Sequence, residues 1–146
     1  MISKSCKYAI RAAVYIASKE DSNTKLSVKE IAKGIEAPEA FTAKVLQALN
    51  KHRIVTSMKG PYGGFYSEKP QLKIPIIDIV NAIDGPYVFK ECVLGLHQCS
   101  DSHPCPMHHQ YAKTRGNMLK SFQETTINSL AKNLKNGSVY INNSII

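Results

Sequence analysis

The chain has 146 residues, of which 43% are hydrophobic and 21% are charged, and its formal net charge is +8. This composition is typical of one ordinary globular domain with a core of its own. The longest apolar stretches fall far short of the ~20 residues that a membrane-spanning helix needs, and Met1 to Glu20 lacks the apolar run of a secretory signal. We therefore expect a soluble cytoplasmic protein with no membrane partner and with reduced thiols.

The positive charge is concentrated in the first part of the chain. Residues 1–60 carry 11 Lys and Arg against 5 Asp and Glu, a net charge of +6, whereas residues 61–146 carry 8 against 6, a net charge of +2. A basic half favours nucleic acid as a partner, because Lys and Arg replace the counterions of phosphates. A basic surface that serves only solubility is the alternative, and charge alone does not separate the two.

Three short helices are predicted in this basic part. Residues 3–18 place apolar side chains on one face of a helix, and Cys6 on that face is expected to be a small buried hydrophobe. After the turn formers EDSNTK, Ser27 and Glu30 form a capping box that opens a second helix. Pro38 suits the first turn of a third helix that runs to about Lys51. The pattern of this third helix buries Phe41, Val45, Ala48 and Leu49 and exposes Glu39, Thr42, Ala43, Lys44 and Gln47.

A β-hairpin is predicted directly after the third helix. The β-branched run Ile54–Ser57 and the extended stretch Phe65–Ser67 flank the turn MKGPYGG, which places Lys59, Pro61 and Tyr62 at its tip. Two helices and a hairpin after a supporting helix predict a winged helix-turn-helix over residues 1–72. A hairpin that only closes the core is the alternative. The fold class is therefore mainly α with a small β-hairpin wing.

The second half of the chain is predicted to contain a segment that connects the DNA-binding region to a dimerisation helix, followed by that helix. A helix begins at Pro75 and ends before Gly85 and Pro86, so that residues 73–108 form a connecting helix and a cysteine loop. Residues 109–136 are assigned to a dimerisation helix, whose 109–133 stretch would be one helix of about 35–40 Å. Residues 137–146 are expected to form a frayed tail.

Three of the four cysteines and four of the five histidines lie within residues 92–109. Cys92, Cys99 and Cys105 are soft ligands that select zinc, copper(I) or iron–sulfur clusters. The tight C-x2-4-C spacing of most structural zinc sites is missing, and the wide spacing suits an object larger than one ion. An iron–sulfur cluster needs four ligands, so one place stays open. Zinc binding, thiol redox chemistry and an inert loop remain alternatives, and His97 and His103 are expected to be solvated.

Several motifs together carry a resemblance. They are KYAIRAAVYIA, SVKEIAKGIEAPEAFTAKVLQALNKHRIV, the wing MKGPYGGF, and IDGP with the cysteines that follow. From Lys4 to about Asn133 they resemble the IscR/NsrR family of bacterial winged-helix transcription regulators. The specific part is the Gly-Pro-x-Gly-Gly wing combined with three downstream cysteines. The resemblance implies a homodimer that binds double-stranded operator DNA under the control of an iron–sulfur cluster.

The resemblance also implies roles for particular residues. It makes His108 the fourth ligand beside the three cysteines, in the spacing C-x6-C-x5-C-x2-H, with His109 ranked second, and it favours a 2Fe–2S over a 4Fe–4S cluster. Some relatives carry an acidic residue where this chain has Lys7 or Ala43. The residues expected at the DNA are Glu39, Thr42, Ala43, Lys44 and Gln47 from the helix and Lys59, Pro61 and Tyr62 from the wing. A regulator on the same fold that uses zinc or thiol redox chemistry is the alternative. An enzyme is not expected, because the sequence has no Gly-rich phosphate loop, nucleophile elbow or paired carboxylates.

Overall fold

The structure is a computed structural model that describes residues 1–19 and 24–143. In this part of the chain six helices and one two-stranded hairpin follow one another, with a short 3-10 turn at Lys69–Lys73 before the fourth helix. They are α1 (Lys4–Ser18), α2 (Val28–Ile35), α3 (Glu39–Lys51), β1 (Thr56–Met58), β2 (Gly64–Tyr66), α4 (Ile76–Asp84), α5 (His108–Glu124) and α6 (Ile127–Lys135). The predicted fold class, a mainly helical winged helix-turn-helix, is confirmed. Most of the predicted EDSNTK turn lies outside the described residues.

Helix α1 forms the centre of the core. It begins after Ser3, whose side chain accepts a hydrogen bond from the N–H of Cys6 at 3.0 Å. Its buried face is rich in alanine, and small side chains allow neighbouring helices to approach closely. Helices α2, α3, α4 and α6 all pack against it. A displacement of α1 would therefore be felt by the helix-turn-helix and by the C-terminal helices alike.

The turn between α2 and α3 is fixed by local hydrogen bonds. The predicted capping box is present: the N–H of Glu30 donates to Ser27 Oγ at 3.1 Å, and the N–H of Ser27 donates to Glu30 Oε2 at 2.7 Å. Helix α2 ends at a left-handed Glu36, and the N–H of Ala37 donates to the carbonyl of Ala32 at 2.9 Å. The chain then enters α3 through Pro38. This geometry is that of a helix-turn-helix.

The hairpin is bound to the segment that precedes α2. Strands β1 and β2 pair antiparallel, and Leu26 and Phe65 exchange two backbone hydrogen bonds of 2.9 and 2.8 Å beside them. Gly64 allows this contact, because a Cβ at that position would lie 2.6 Å from the carbonyl oxygen of Leu26 and its φ is +147°. The base of the wing is therefore continuous with the helix-turn-helix.

The predicted single helix over residues 109–133 is wrong. Helix α5 ends at Glu124 and α6 begins at Ile127, with Thr125 in an extended conformation. The carbonyl of Thr125 accepts from the N–H of Ile76 at 2.8 Å, and the N–H of Ile127 donates to the carbonyl of Ile74 at 3.0 Å. The Thr126 side chain caps α6 by accepting from the Ser129 N–H at 3.2 Å. The chain breaks here because these backbone groups bond to the start of α4, and α6 turns back onto α1.

The predicted frayed tail is also wrong for residues 141–143. The carbonyl of Ile141 accepts from Arg11 Nε at 3.1 Å, and Asn142 Nδ2 donates to the carbonyl of Gly34 at 3.1 Å. Arg11 also donates through its guanidinium to the carbonyl of Ile35. Residues 141–143 therefore lie against α1 and the end of α2, whereas Val139 and Tyr140 are exposed. Residues 144–146 lie outside the described part of the chain.

Candidate functional site

Helix α3 presents a polar face that differs in one respect from the predicted one. Glu39, Lys44 and Gln47 are exposed and Ala43 is half-buried, as a surface for DNA requires. Thr42, however, is fully buried, and its hydroxyl donates to the carbonyl of Pro38 at 2.9 Å. The prediction that Thr42 faces the bases is therefore wrong. The buried stripe of α3 includes Thr42 because the hydroxyl is satisfied within the helix itself and so costs little to bury.

The tip of the wing is open to solvent. Lys59 and Pro61 are exposed, and 90% of Tyr62 is accessible. Gly60 has a φ of +109°, and its carbonyl accepts from the N–H of Gly63 at 3.0 Å, which forms the turn. An aromatic ring this exposed gains nothing from the protein core, and a phenol can contact a sugar or a phosphate. The exposed tip is compatible with the predicted contact with DNA.

The cysteine loop lies between α4 and α5 and is fixed at several points. Val88 and Phe89 pack against Cys6 of α1 in a second small core. Phe89 also meets Phe122 of α5 edge to face, with ring centroids 5.5 Å apart. The guanidinium of Arg115 donates to the carbonyl of Glu91 at 2.9 Å. The segment that leads into the cysteines is therefore packed on α1 and α5.

The four predicted ligands lie in two pairs. Cys99 Sγ lies 3.3 Å from His108 Nδ1, and Cys92 and Cys105 lie close enough for each to affect the pKa of the other. Cys92 and His108 are buried, and Cys99 and Cys105 are half-buried. Among the described residues, no three His, Cys, Asp or Glu side chains are grouped so as to hold a metal ion. The negative charge of Cys99 also contributes to raising the pKa of Cys105, so the three thiols of the loop lie in one neighbourhood.

Backbone N–H groups surround the sulfur of Cys92. Those of Leu96 and Leu94 hold the pKa of Cys92 below its usual value, against the opposing effect of burial. Gly95, with a φ of +76°, lies in this turn, and its N–H donates to the carbonyl of Cys92 at 3.0 Å. Burial, together with the nearby sulfur of Cys92, raises the pKa of Cys105. A thiolate stabilised by backbone donors fits a sulfur-ligated iron site, where such hydrogen bonds tune the cluster.

Asp101 was not predicted from the sequence. Its Oδ1 lies 2.7 Å from Nε2 of the buried His108. The available signal was that Asp101 is the single carboxylate within residues 92–109. His109 is exposed, with its ring centroid 5.3 Å from that of His108. Of the two adjacent histidines, His108 is the one held at both ring nitrogens.

The remaining cysteine and the other loop histidines lie where they were predicted. Cys6 is fully buried, which confirms its assignment to the core. Burial, assisted by the negative charge of Asp84, raises the pKa of Cys6 to about 12. His97 and His103 are exposed, as predicted for solvated loop residues. Within residues 1–19 and 24–143, none of the helices combines the length and the apolar character required to cross a bilayer.

Comparison with known proteins identifies the family. Residues 2–133 match the Rrf2 family, described as iron-dependent transcriptional regulators. A protein of Aquifex aeolicus assigned as an HTH-type transcriptional regulator is 37% identical over 132 residues, which cover 89% of this chain and 90% of that protein. The HTH-type transcriptional regulator NsrR of Oceanobacillus iheyensis is 28% identical over 133 residues, with 90% of each chain covered.

Solved structures share the fold. CymR, the global cysteine regulator of B. subtilis, superimposes with a TM-score of 0.72 at 24% identity and covers 90% of this chain and 96% of its own. IscR of T. potens superimposes with a TM-score of 0.70 at 18% identity, and the match covers 95% of this chain and 91% of IscR. The matching family and the proteins of A. aeolicus and O. iheyensis are transcriptional regulators, so the predictions of a regulatory family and of no enzymatic activity are confirmed. The chain belongs to the Rrf2 family of transcriptional regulators.

Proposed function

We propose that this transcriptional regulator acts as a dimer whose binding to operator DNA in the cytoplasm is modulated by an iron–sulfur cluster. The ligands would be Cys92, Cys99, Cys105 and His108. The observation that carries the proposal is that three cysteines and His108 lie within 17 residues, with Cys99 Sγ 3.3 Å from His108 Nδ1 and with Cys92 and Cys105 close enough to affect each other's pKa. When bound, the cluster would supply chemistry sensitive to redox state, nitric oxide or cluster supply. A three-cysteine, one-histidine set favours 2Fe–2S, and 4Fe–4S is the alternative.

The loop has a physical connection to the DNA-binding helices. Asp84, at the end of α4, accepts hydrogen bonds from the N–H of Ser3 at 2.7 Å and from the Ser3 hydroxyl. Ser3 caps α1, and α1 packs against α3. A rearrangement of the loop that follows Asp84 would therefore act on the start of α1. Such a change alters DNA binding only if the two states differ in their affinity for DNA.

The absorption spectrum of anaerobically purified protein tests the proposal. A cluster gives brown protein with charge-transfer bands in the visible region. Colourless protein with bound zinc would instead favour zinc on the same fold. Colourless protein without metal, which also gains no colour on reconstitution with iron and sulfide, would contradict the proposal.

On the DNA side, α3 would enter the major groove and the wing would contact the backbone. The proposed contacts are made by Glu39, Ala43, Lys44 and Gln47 of α3 and by Lys59, Pro61 and Tyr62 of the wing. Exposed Lys51, the last residue of α3, and exposed Arg53 just after the helix extend the same basic stretch. Lys and Arg at these positions release counterions from phosphates, so binding would be strongly dependent on salt.

Lys44→Ala and Lys59→Ala should each weaken operator binding and reduce the slope of log K against log salt by about 1. Each substitution removes one cation that neutralises one phosphate. Titration of labelled operator at several salt concentrations measures both quantities. Lys132→Ala, an exposed lysine on α6, serves as the matched control and should leave the slope unchanged. An unchanged slope for Lys59→Ala would remove the wing from the DNA contact.

Dimerisation through α5 is the second part of the proposal. This helix has 17 residues, about 25 Å in length, and only His108 on it is fully buried within the described chain. Most of its surface is therefore available to a second copy. Sedimentation at micromolar concentration should give twice the 16.2 kDa of one chain. A species with the mass of a single chain would contradict the proposal.

Thiol redox control is a second candidate function, and one contact favours it. Cys92 and Cys105 lie close enough to affect each other's pKa, and backbone N–H groups hold the pKa of Cys92 below its usual value. A thiolate adjacent to a second thiol is suited to oxidation by a peroxide followed by disulfide formation. In this alternative, metal-free protein would lose DNA affinity on peroxide treatment and regain it with a thiol reductant.

A further inference from the structure

The ring of His108 is held at both of its nitrogens. Nδ1 lies 3.3 Å from the sulfur of Cys99, and Nε2 lies 2.7 Å from Oδ1 of Asp101. The side chain of His108 is 5% exposed, whereas that of Asp101 is fully exposed. Two residues of one short loop segment therefore fix the orientation of a buried imidazole.

The chemistry of the two contacts assigns different roles to the two nitrogens. A carboxylate oxygen accepts hydrogen bonds, so Nε2 is the nitrogen that carries the proton. A neutral imidazole has one N–H, which leaves the lone pair on Nδ1 and directs it towards Cys99. A histidine that binds a metal commonly donates its other ring N–H to a carboxylate, which fixes the ring and makes the ligating nitrogen more basic.

We propose that Asp101 is the positioning residue of His108, which holds the Nε2 proton and presents Nδ1 as the nitrogen that would ligate the cluster. This inference rests on the function proposed above, and it specifies which nitrogen of His108 is used and what orients it. It also accounts for the choice between adjacent histidines. His109 is exposed, whereas His108 is buried between Cys99 and Asp101.

The conformation of the loop supports this role for Asp101. The hydroxyls of Ser100 and Ser102, on either side of Asp101, lie 2.8 Å apart, and the N–H of Ser102 donates to Ser100 Oγ at 3.2 Å. These bonds close a tight turn with Asp101 at its centre. On the other side, the N–H of His108 donates to the carbonyl of Cys105 at 2.9 Å. Both partners of the carboxylate–imidazole contact are therefore held by local backbone structure.

Because Asp101 is exposed, its role in orienting His108 can be tested without a loss of protein stability. The side chain is fully exposed, so its removal leaves no cavity and no buried group without solvent. We expect Asp101→Ala to have the same thermal midpoint as the unmodified protein. The substitution should instead change the Nε2–H resonance of His108 and raise the rate at which a bound cluster is lost.

Two measurements on the full-length protein test the inference. In cluster-free protein with ¹⁵N-labelled histidine, His108 should show a protonated Nε2 and an unprotonated Nδ1, with a downfield Nε2–H resonance protected from exchange. That resonance should be lost in Asp101→Ala and in His108→Ala. In reconstituted protein, the rate of cluster loss to an iron chelator should rise about tenfold in Asp101→Ala. Asp101→Glu should recover part of this loss, since it retains the carboxylate. His103→Ala, in the same loop, is the matched control for both measurements.

The outcomes distinguish the inference from the function on which it rests. A protected resonance that persists in Asp101→Ala, or a His108 protonated at Nδ1 in the unmodified protein, overturns the role of Asp101. Equal rates of cluster loss in Asp101→Ala and unmodified protein overturn it too. If the unmodified protein takes up no cluster, the proposed function fails. The resonance in the cluster-free protein then still tests whether Asp101 orients His108.

Discussion

Cys99→Ser should leave the protein without an iron–sulfur cluster, and so should Cys92→Ser and Cys105→Ser. A cluster needs four ligands, and this loop offers three thiolates and one imidazole. A serine hydroxyl is a poor replacement for a soft thiolate. His108→Ala should give a less stable or spectrally shifted cluster, because water or the neighbouring His109 can take the fourth place. Iron and sulfide per chain after anaerobic reconstitution measure all four variants.

Cys6→Ala is the matched control for the three serine variants. Cys6 is fully buried among apolar side chains of the second core, away from the thiol pairs of the loop. Its replacement should therefore retain the full content of iron and sulfide. Equal cluster content in Cys99→Ser and in the unmodified protein would disprove the ligand set. The cysteine segment would then be an inert loop or a thiol switch.

Leu46→Ala should lower the free energy of unfolding by about 3 kcal/mol, in the range found for buried leucines. Leu46 is fully buried on the inner face of α3, in the core that α1 shares with the helix-turn-helix. The substitution removes buried apolar surface and leaves a cavity that the surrounding helices fill only partly. Chemical denaturation followed by circular dichroism measures the change.

Gln47→Ala, one residue further along α3, provides the comparison. Gln47 is exposed on the opposite face, so its free energy of unfolding should stay within about 0.5 kcal/mol of the unmodified value. Its affinity for the operator should fall, whereas Leu46→Ala should keep that affinity under conditions in which it is folded. A Gln47→Ala protein that is destabilised and binds DNA normally would mean that the two faces of α3 are misassigned.

Local signals account for the parts of the fold that could be predicted. The Ser27–Glu30 capping box, the proline before α3 and the glycine-rich turn of the wing each act within a few residues, and the structure contains all three elements. The three loop cysteines were singled out by residue type and spacing, the resemblance added His108, and the structure places Cys99 Sγ 3.3 Å from His108 Nδ1. Short-range chemistry was sufficient for these features.

The predictions from sequence were wrong or incomplete where contacts between distant residues determine the structure more strongly than local patterns do. The break after Glu124 depends on backbone hydrogen bonds between Thr125 and the start of α4, about 50 residues earlier in the chain. The tail is ordered by Arg11, which is 130 positions from Ile141. Thr42 is buried because α3 packs against helices on more than one side. Asp101 was overlooked because its role depends on the conformation of the loop, which residue spacing does not determine.

The hydrogen bonds between Leu26 and Phe65 have a consequence for the operator itself. Because this contact fixes the wing to the base of α2, α3 and the wing cannot adjust separately when they meet a groove of slightly different width. Any misfit must then be taken up by bending or twisting of the duplex, at an energy that depends on which base steps are strained. We therefore expect operator sequences to be ranked partly by the flexibility of steps that no side chain touches, with TA and CA steps preferred where α3 and the wing impose curvature.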